Sequence, residues 1–133
     1  MTAPTSPPLS STRIAKLALL GAVYWFAAAL FIRATSALWV GGGMATVVVF
    51  ALVIPVTVPA LLLGLRIAGL TRDRATVAAT VMTGAAALLD GVALTWFPTL
   101  YGSDPAIVLG GAAAILWGAG IALVLGIVIE RRG

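Results

Sequence analysis

Four long apolar stretches, separated by short polar or glycine-rich breaks, account for nearly the whole chain. The first covers residues 14–32 and is bounded by Arg13 and Arg33; the second covers 43–65 and ends at Arg66. The third covers 75–99 and follows Thr71-Arg72-Asp73-Arg74. The fourth covers 106–129, opens after Asp104-Pro105, and stops at Glu130-Arg131-Arg132. Asp104 suits a helix N-cap and Pro105 the first helical position. Each stretch has 19 to 25 residues, against the roughly 20 needed to cross about 30 Å of hydrocarbon. The pattern predicts an all-α membrane protein of four transmembrane helices. Because the connections are short, consecutive helices are expected to be antiparallel neighbours in an up-down bundle over residues 13–133.

Residues 1–12 are rich in Pro, Ser and Thr, lack apolar periodicity, and read as a disordered N-terminal tail. A signal peptide would use Arg13 and Lys16 as its charged region, residues 17–26 as its apolar core and 27–29 as a cleavage site. The apolar stretch runs on to Ile32, however, so retention as a span is the expectation.

Composition sharpens this picture. Hydrophobic residues make up 62% of the chain and charged residues 9%, where a soluble domain sits nearer half and a quarter. The net charge of +4 comes from basic residues that flank the spans, a pattern of topology and lipid contact that excludes a nucleic-acid partner. Arg13, Lys16, Arg66, Arg72, Arg74, Arg131 and Arg132 fall on one side, and only Arg33 on the other. The positive-inside rule then puts both termini in the cytoplasm. Trp39, Trp96 and Tyr101 fall near the opposite interface, where an aromatic belt is expected.

The chain has no cysteine and no histidine, which excludes disulfides, thiol nucleophiles, histidine-ligated haem and typical zinc sites. No cofactor, metal site or catalytic residue is assigned, because there is no second membrane-embedded carboxylate and no phosphate-binding glycine loop beside a lysine. An enzyme is not expected. Glu130, next to Arg131, reads as a salt-bridged helix end.

Small residues recur every four positions in the fourth span, at Gly110, Ala114, Gly118, Ala122 and Gly126, and in the third, at Ala79, Thr83, Ala87, Gly91 and Thr95. Such stripes let helices approach closely within one chain or between two copies. In the second span Pro55 and Pro59 flank Thr57 and predict a kink near residues 51–55. Either the kink is a hinge whose freed carbonyls line a cavity, or it is a static bend whose freed groups Thr57 and neighbouring helices satisfy.

Asp90 is the only acidic residue deep inside a span. A carboxyl group in hydrocarbon must be protonated, paired or hydrated. It lies 15 residues beyond Ala75, roughly 22 Å from that boundary at about 1.5 Å per residue, and borders the stripe containing Thr83. Its candidate partners are Arg33, the only cation on that side, and a hydroxyl such as Thr95. Arg33 could equally snorkel to headgroups. For Asp90, a structural pair, a proton or cation site, and a catalytic acid are the competing roles.

Four-helix small multidrug transporters depend on a glutamate in their first span, and this first span has no acidic residue, so their mechanism does not carry over. Phe31-Ile32-Arg33 closes the first span, Asp90-Gly91 lies in the third, Phe97-Pro98 ends it, and Leu116-Trp117-Gly118 lies in the fourth. On these motifs, over residues 15–131, the chain resembles a family of small bacterial four-helix membrane proteins catalogued as a domain of unknown function. The resemblance implies a bacterial inner-membrane location and no established activity. The partners expected are the lipid bilayer and a homodimer or larger membrane complex. Two function classes follow: a structural or accessory membrane component, or a small transporter or ligand-binding protein using Asp90 in an outward-facing cavity.

Overall fold

The computed structural model describes residues 6–133 and is all-helical. Four helices, α1 (Ser11–Trp39), α2 (Met44–Ala68), α3 (Ala75–Trp96) and α4 (Pro105–Arg132), are each long and apolar enough to cross a membrane. Single 3-10 turns, Arg72–Arg74 and Pro98–Leu100, lead into α3 and out of it.

Helix α1 exceeds its expected span at both ends. It starts at Ser11 because Ser10 serves as N-cap, its hydroxyl accepting the Arg13 N–H at 3.3 Å. Residues 1–5 of the expected disordered tail lie outside the described residues. The rest is held against the bundle: the Pro7 carbonyl accepts from the Arg74 guanidinium at 2.9 Å, and Leu9 packs on the core. At the other end α1 passes Ile32 and continues to Trp39. Thr35 donates its hydroxyl proton to the Phe31 carbonyl at 2.7 Å and accepts the Trp39 indole N–H at 2.9 Å, so these polar groups bond within the helix. The break expected between the spans ending at residue 32 and beginning at residue 43 is thereby reduced to residues 40–43. Gly41, Gly42 and Gly43 there have φ of 115°, 91° and 87°, values that L side chains rarely adopt.

Two buried clusters hold the helices together. One, at the terminal end of the molecule, joins Leu17, Leu61, Leu65, Ala68, Ala75, Ala78, Ala79 and Met82, with Ile129 packed on it. The other, at the loop end, joins Ala29, Ile32, Trp39, Ala93 and Tyr101, with Val108 and Ala114 packed on it. The contact of α1 with α3 is the most extensive between helices. Within it, Gly21 lies directly on the backbone of Met82.

The two small-residue stripes have different fates. A strict four-residue repeat drifts about 40° around an α-helix at each step. On α4 the drift carries the stripe past successive neighbours: Gly110 meets Val40, Gly118 faces Val53, and Gly126 meets Ala79 and the Ala75 carbonyl. All five positions, Ala114 and Ala122 included, are buried or half-buried. On α3 the drift carries it out of the bundle. Ala79 is buried and Thr83 half-buried, but Ala87, Gly91 and Thr95 are exposed. The buried face of α3 is instead Ala75, Ala78, Ala79, Met82, Asp90 and Ala93.

Helix α2 runs unbroken as α-helix through Pro55 and Pro59, and both prolines are exposed. The Thr57 hydroxyl donates to the Val53 carbonyl at 2.6 Å. It therefore does not serve the carbonyls of Ala51 and Pro55, which the proline rings deprive of their usual donors. The prolines lie on the exterior, which argues against a cavity lined by their freed carbonyls.

Candidate functional site

Asp90 sits near the end of α3 and is 8% exposed. Beyond it the helix stops at Trp96, and the Pro98–Leu100 turn folds the chain back over the end of the bundle. The Leu100 and Tyr101 N–H groups donate to the carbonyls of Phe97 and Pro98 at 3.0 and 3.1 Å, which closes that turn. The turn aims Tyr101 inward until its side chain is fully buried. Its hydroxyl donates to Asp90 Oδ1 at 2.6 Å and accepts the Trp25 Nε1–H at 3.0 Å. A hydroxyl can donate one proton and accept at its lone pairs. Tyr101 uses both capacities to join α1, the α3–α4 connection and α3. Burial, reinforced by the adjacent carboxylate, pushes the Tyr101 hydroxyl above its ordinary range, so it remains a donor.

Arg33 does not reach this chain. It is exposed, and its guanidinium donates to the Thr99 carbonyl at 3.1 Å. The expected Asp90–Arg33 pair is therefore replaced by two separate contacts with the same connection. The reason is helical geometry: Ile32 is buried against Gly111, and the next residue is turned about 100° away. Thr95 is not a partner either, since its hydroxyl donates to the Gly91 carbonyl of its own helix at 2.7 Å from the exposed face. Thr83 is half-buried two turns away along α3. Of the expected polar group Asp90, Arg33, Thr95 and Thr83, only Asp90 belongs to the buried chain.

Two of its members are not marked by the hydrophobic pattern. Of the aromatic belt expected at Trp39, Trp96 and Tyr101, only Trp96 is exposed; Trp39 and Tyr101 are buried. Trp25 lies inside an apolar span, where its indole N–H needs an acceptor, and that requirement is the signal the sequence carries.

The remaining polar groups serve helix ends and helix contacts. Glu130 accepts the Thr76 N–H at 2.7 Å and so caps the start of α3, where the expectation was a salt bridge with Arg131. An anion there satisfies an orphan donor and complements the helix dipole. Tyr24 donates to the Ala60 carbonyl at 2.8 Å, and Trp117 donates to the Phe50 carbonyl at 2.9 Å while stacking on the Phe50 ring at 5.7 Å. Among the described residues, no three or more His, Cys, Asp or Glu side chains come together as a metal site. A cleft of about 460 Å³ opens between α1 and α3 beside Arg33, but Asp90 is not part of its lining.

No protein family, no curated protein and no solved structure gives a match to this chain.

Proposed function

We propose that this chain is a structural or accessory component of a bacterial inner membrane, an antiparallel up-down bundle with both termini in the cytoplasm and no enzymatic activity. The buried chain from Trp25 through Tyr101 to Asp90 is the observation that carries the reading. It ties the one deep carboxyl group to the closure of the bundle. A proton or cation carrier needs that group within reach of water, whereas Asp90 is buried and does not line the cleft beside Arg33, and the prolines of α2 lie on the exterior. The orientation rests on the gathering of seven of the eight basic residues at the terminal end. The bacterial location rests on the resemblance carried by Phe31-Ile32-Arg33 and Leu116-Trp117-Gly118.

The absence of native cysteine makes one experiment decisive for both topology and access. Single variants Ser103→Cys, Gly133→Cys and Ala86→Cys are treated with a membrane-impermeant maleimide on intact cells and again after permeabilisation. Ser103→Cys, in the exposed α3–α4 connection, is expected to react from outside, Gly133→Cys only after permeabilisation, and Ala86→Cys, one turn before Asp90 and outside the cleft beside Arg33, only after denaturation. Reaction of Gly133→Cys on intact cells would reverse the orientation. Reaction of Ala86→Cys at a rate near that of Ser103→Cys would reveal a water-filled cavity one turn from Asp90, and a small transporter or ligand-binding protein would then replace the accessory reading.

An accessory component also requires an assembly. Crosslinking in native membranes is expected to join the chain to a second copy or to another membrane protein. Recovery of the crosslinked chain solely as a monomer would remove that expectation.

A further inference from the structure

We propose that the cleft between α1 and α3 at the loop end is a binding site for one anionic glycerophospholipid, with its phosphodiester on Arg33 and an acyl chain along Trp25, Leu89, Val92 and Phe97. The walls formed by those four side chains are apolar, and the cleft has a volume of about 460 Å³ under the Pro98–Leu100 turn. Exposed Trp96 and Phe97 beside it mark the interfacial level, where headgroup phosphates lie.

Charge complementarity selects the occupant. Arg33 is the only basic residue at this end of the molecule. A guanidinium has five N–H donors in a planar fork that matches a phosphate, and its charge favours a lipid whose phosphodiester is not already offset by a headgroup ammonium, as it is in phosphatidylcholine. The Thr99 carbonyl engages one nitrogen and orients the group over the cleft.

Each of the four Asp and Glu side chains has another partner, and the C-terminal carboxylate lies on Gly133 at the other end. Asp90 accepts from Tyr101 at 2.6 Å, Asp104 from the Ala106 N–H at 2.9 Å, Glu130 from the Thr76 N–H at 2.7 Å, and Asp73 from the Thr71 hydroxyl. The anion that meets Arg33 therefore comes from outside the protein. The apolar wall beside it requires that this anion carry a hydrocarbon chain.

The test is lipid retention. Protein reconstituted in nanodiscs of equal phosphatidylglycerol and phosphatidylcholine is released into detergent and weighed by native mass spectrometry. The wild-type chain is expected to keep phosphatidylglycerol over phosphatidylcholine, and Arg33→Gln to lower that preference about tenfold, as loss of a charge-assisted contact implies. Arg33→Lys, which keeps the charge without the fork, is expected to fall between them. Val92→Trp fills the wall and is expected to release the same lipid with the guanidinium intact. Arg131→Gln, at the opposite end, is expected to leave that lipid in place.

Thermal unfolding of each variant separates loss of the site from loss of the fold. Equal retention of the two lipids by the wild-type chain would overturn the proposal. So would an unchanged preference in both Arg33→Gln and Val92→Trp, or displacement of the lipid by excess inorganic phosphate.

Discussion

Gly21→Ala is expected to lower the melting temperature of the detergent-solubilised protein sharply, and Gly21→Leu to prevent assembly of the bundle. A Cβ at Gly21 would collide with the Met82 carbonyl oxygen and lie 2.9 Å from its Cα. Both are backbone atoms of α3, so no side chain can swing aside to make room. Helix α1 must move away from α3 along their most extensive contact. Overpacking a filled core costs about 1–3 kcal/mol, and a backbone collision belongs at the upper end of that range.

The comparison is Gly118→Ala. Its added methyl would meet only a Val53 methyl at 3.8 Å, an ordinary contact, and the change is expected to stay within about 0.5 kcal/mol. Within the four-residue stripe on α4 the tight positions are Gly110 and Gly126, whose added Cβ would meet Val40 and Ala79 at 2.6 and 2.8 Å. Equal melting of Gly21→Ala and wild-type protein would mean that the two helices are farther apart than described.

The second large effect is expected at the buried polar chain. Tyr101→Phe removes the donor to Asp90 and the acceptor for Trp25 in one step. Leaving buried polar groups without partners costs about 1–3 kcal/mol. Asp90→Ala is expected to cost a similar amount, because it leaves the Tyr101 hydroxyl without its acceptor. The double variant is expected to lose clearly less than the sum, since each single change has already broken the shared bond. Asp90→Asn keeps a carbonyl oxygen facing Tyr101 and is expected to be the mildest change at this position.

Arg33→Gln combined with Asp90→Ala is expected to be additive, because Arg33 bonds Thr99 and not Asp90. Coupling in the Arg33 pair together with additivity in the Tyr101 pair would show that the carboxylate has the other partner. Thermal unfolding in one detergent measures all of these variants on a common scale.

The helices were legible in the sequence because a span is a local property. Twenty apolar residues in a row declare themselves without reference to any other part of the chain. The ends were less legible. Arg33 looks like the end of the first span, yet Thr35 and Trp39 carry α1 to residue 39 through bonds within its own turns. Ser10 begins the helix before its first apolar residue, and a capping serine among several Ser and Thr residues cannot be singled out by composition.

At the candidate site, the chemistry of one residue was legible and its partner was not. Asp90 in hydrocarbon requires a partner whatever the fold. Charge alone points to Arg33, the one cation at that end of the spans. The partner is Tyr101 because a 3-10 turn after Phe97 reverses the chain and carries a phenol inward. No pattern of hydrophobicity encodes that reversal. Glu130 follows the same logic: its adjacent arginine is a sequence neighbour, but the first turn of α3 offers an orphan N–H that needs an acceptor.

The sequence by itself determined that there are four apolar helices, that basic residues lie unevenly between their ends, and that one carboxyl group deep in a span needs a partner. These follow from residue-by-residue transfer energies and hold for any arrangement of the helices. Only the tertiary structure decided which glycine bears a backbone contact, which stripe faces inward, and which hydroxyl receives the carboxyl group. Those outcomes depend on the rotation of each helix about its axis. A shift of one residue turns a side chain by about 100°, enough to exchange the interior for the exterior.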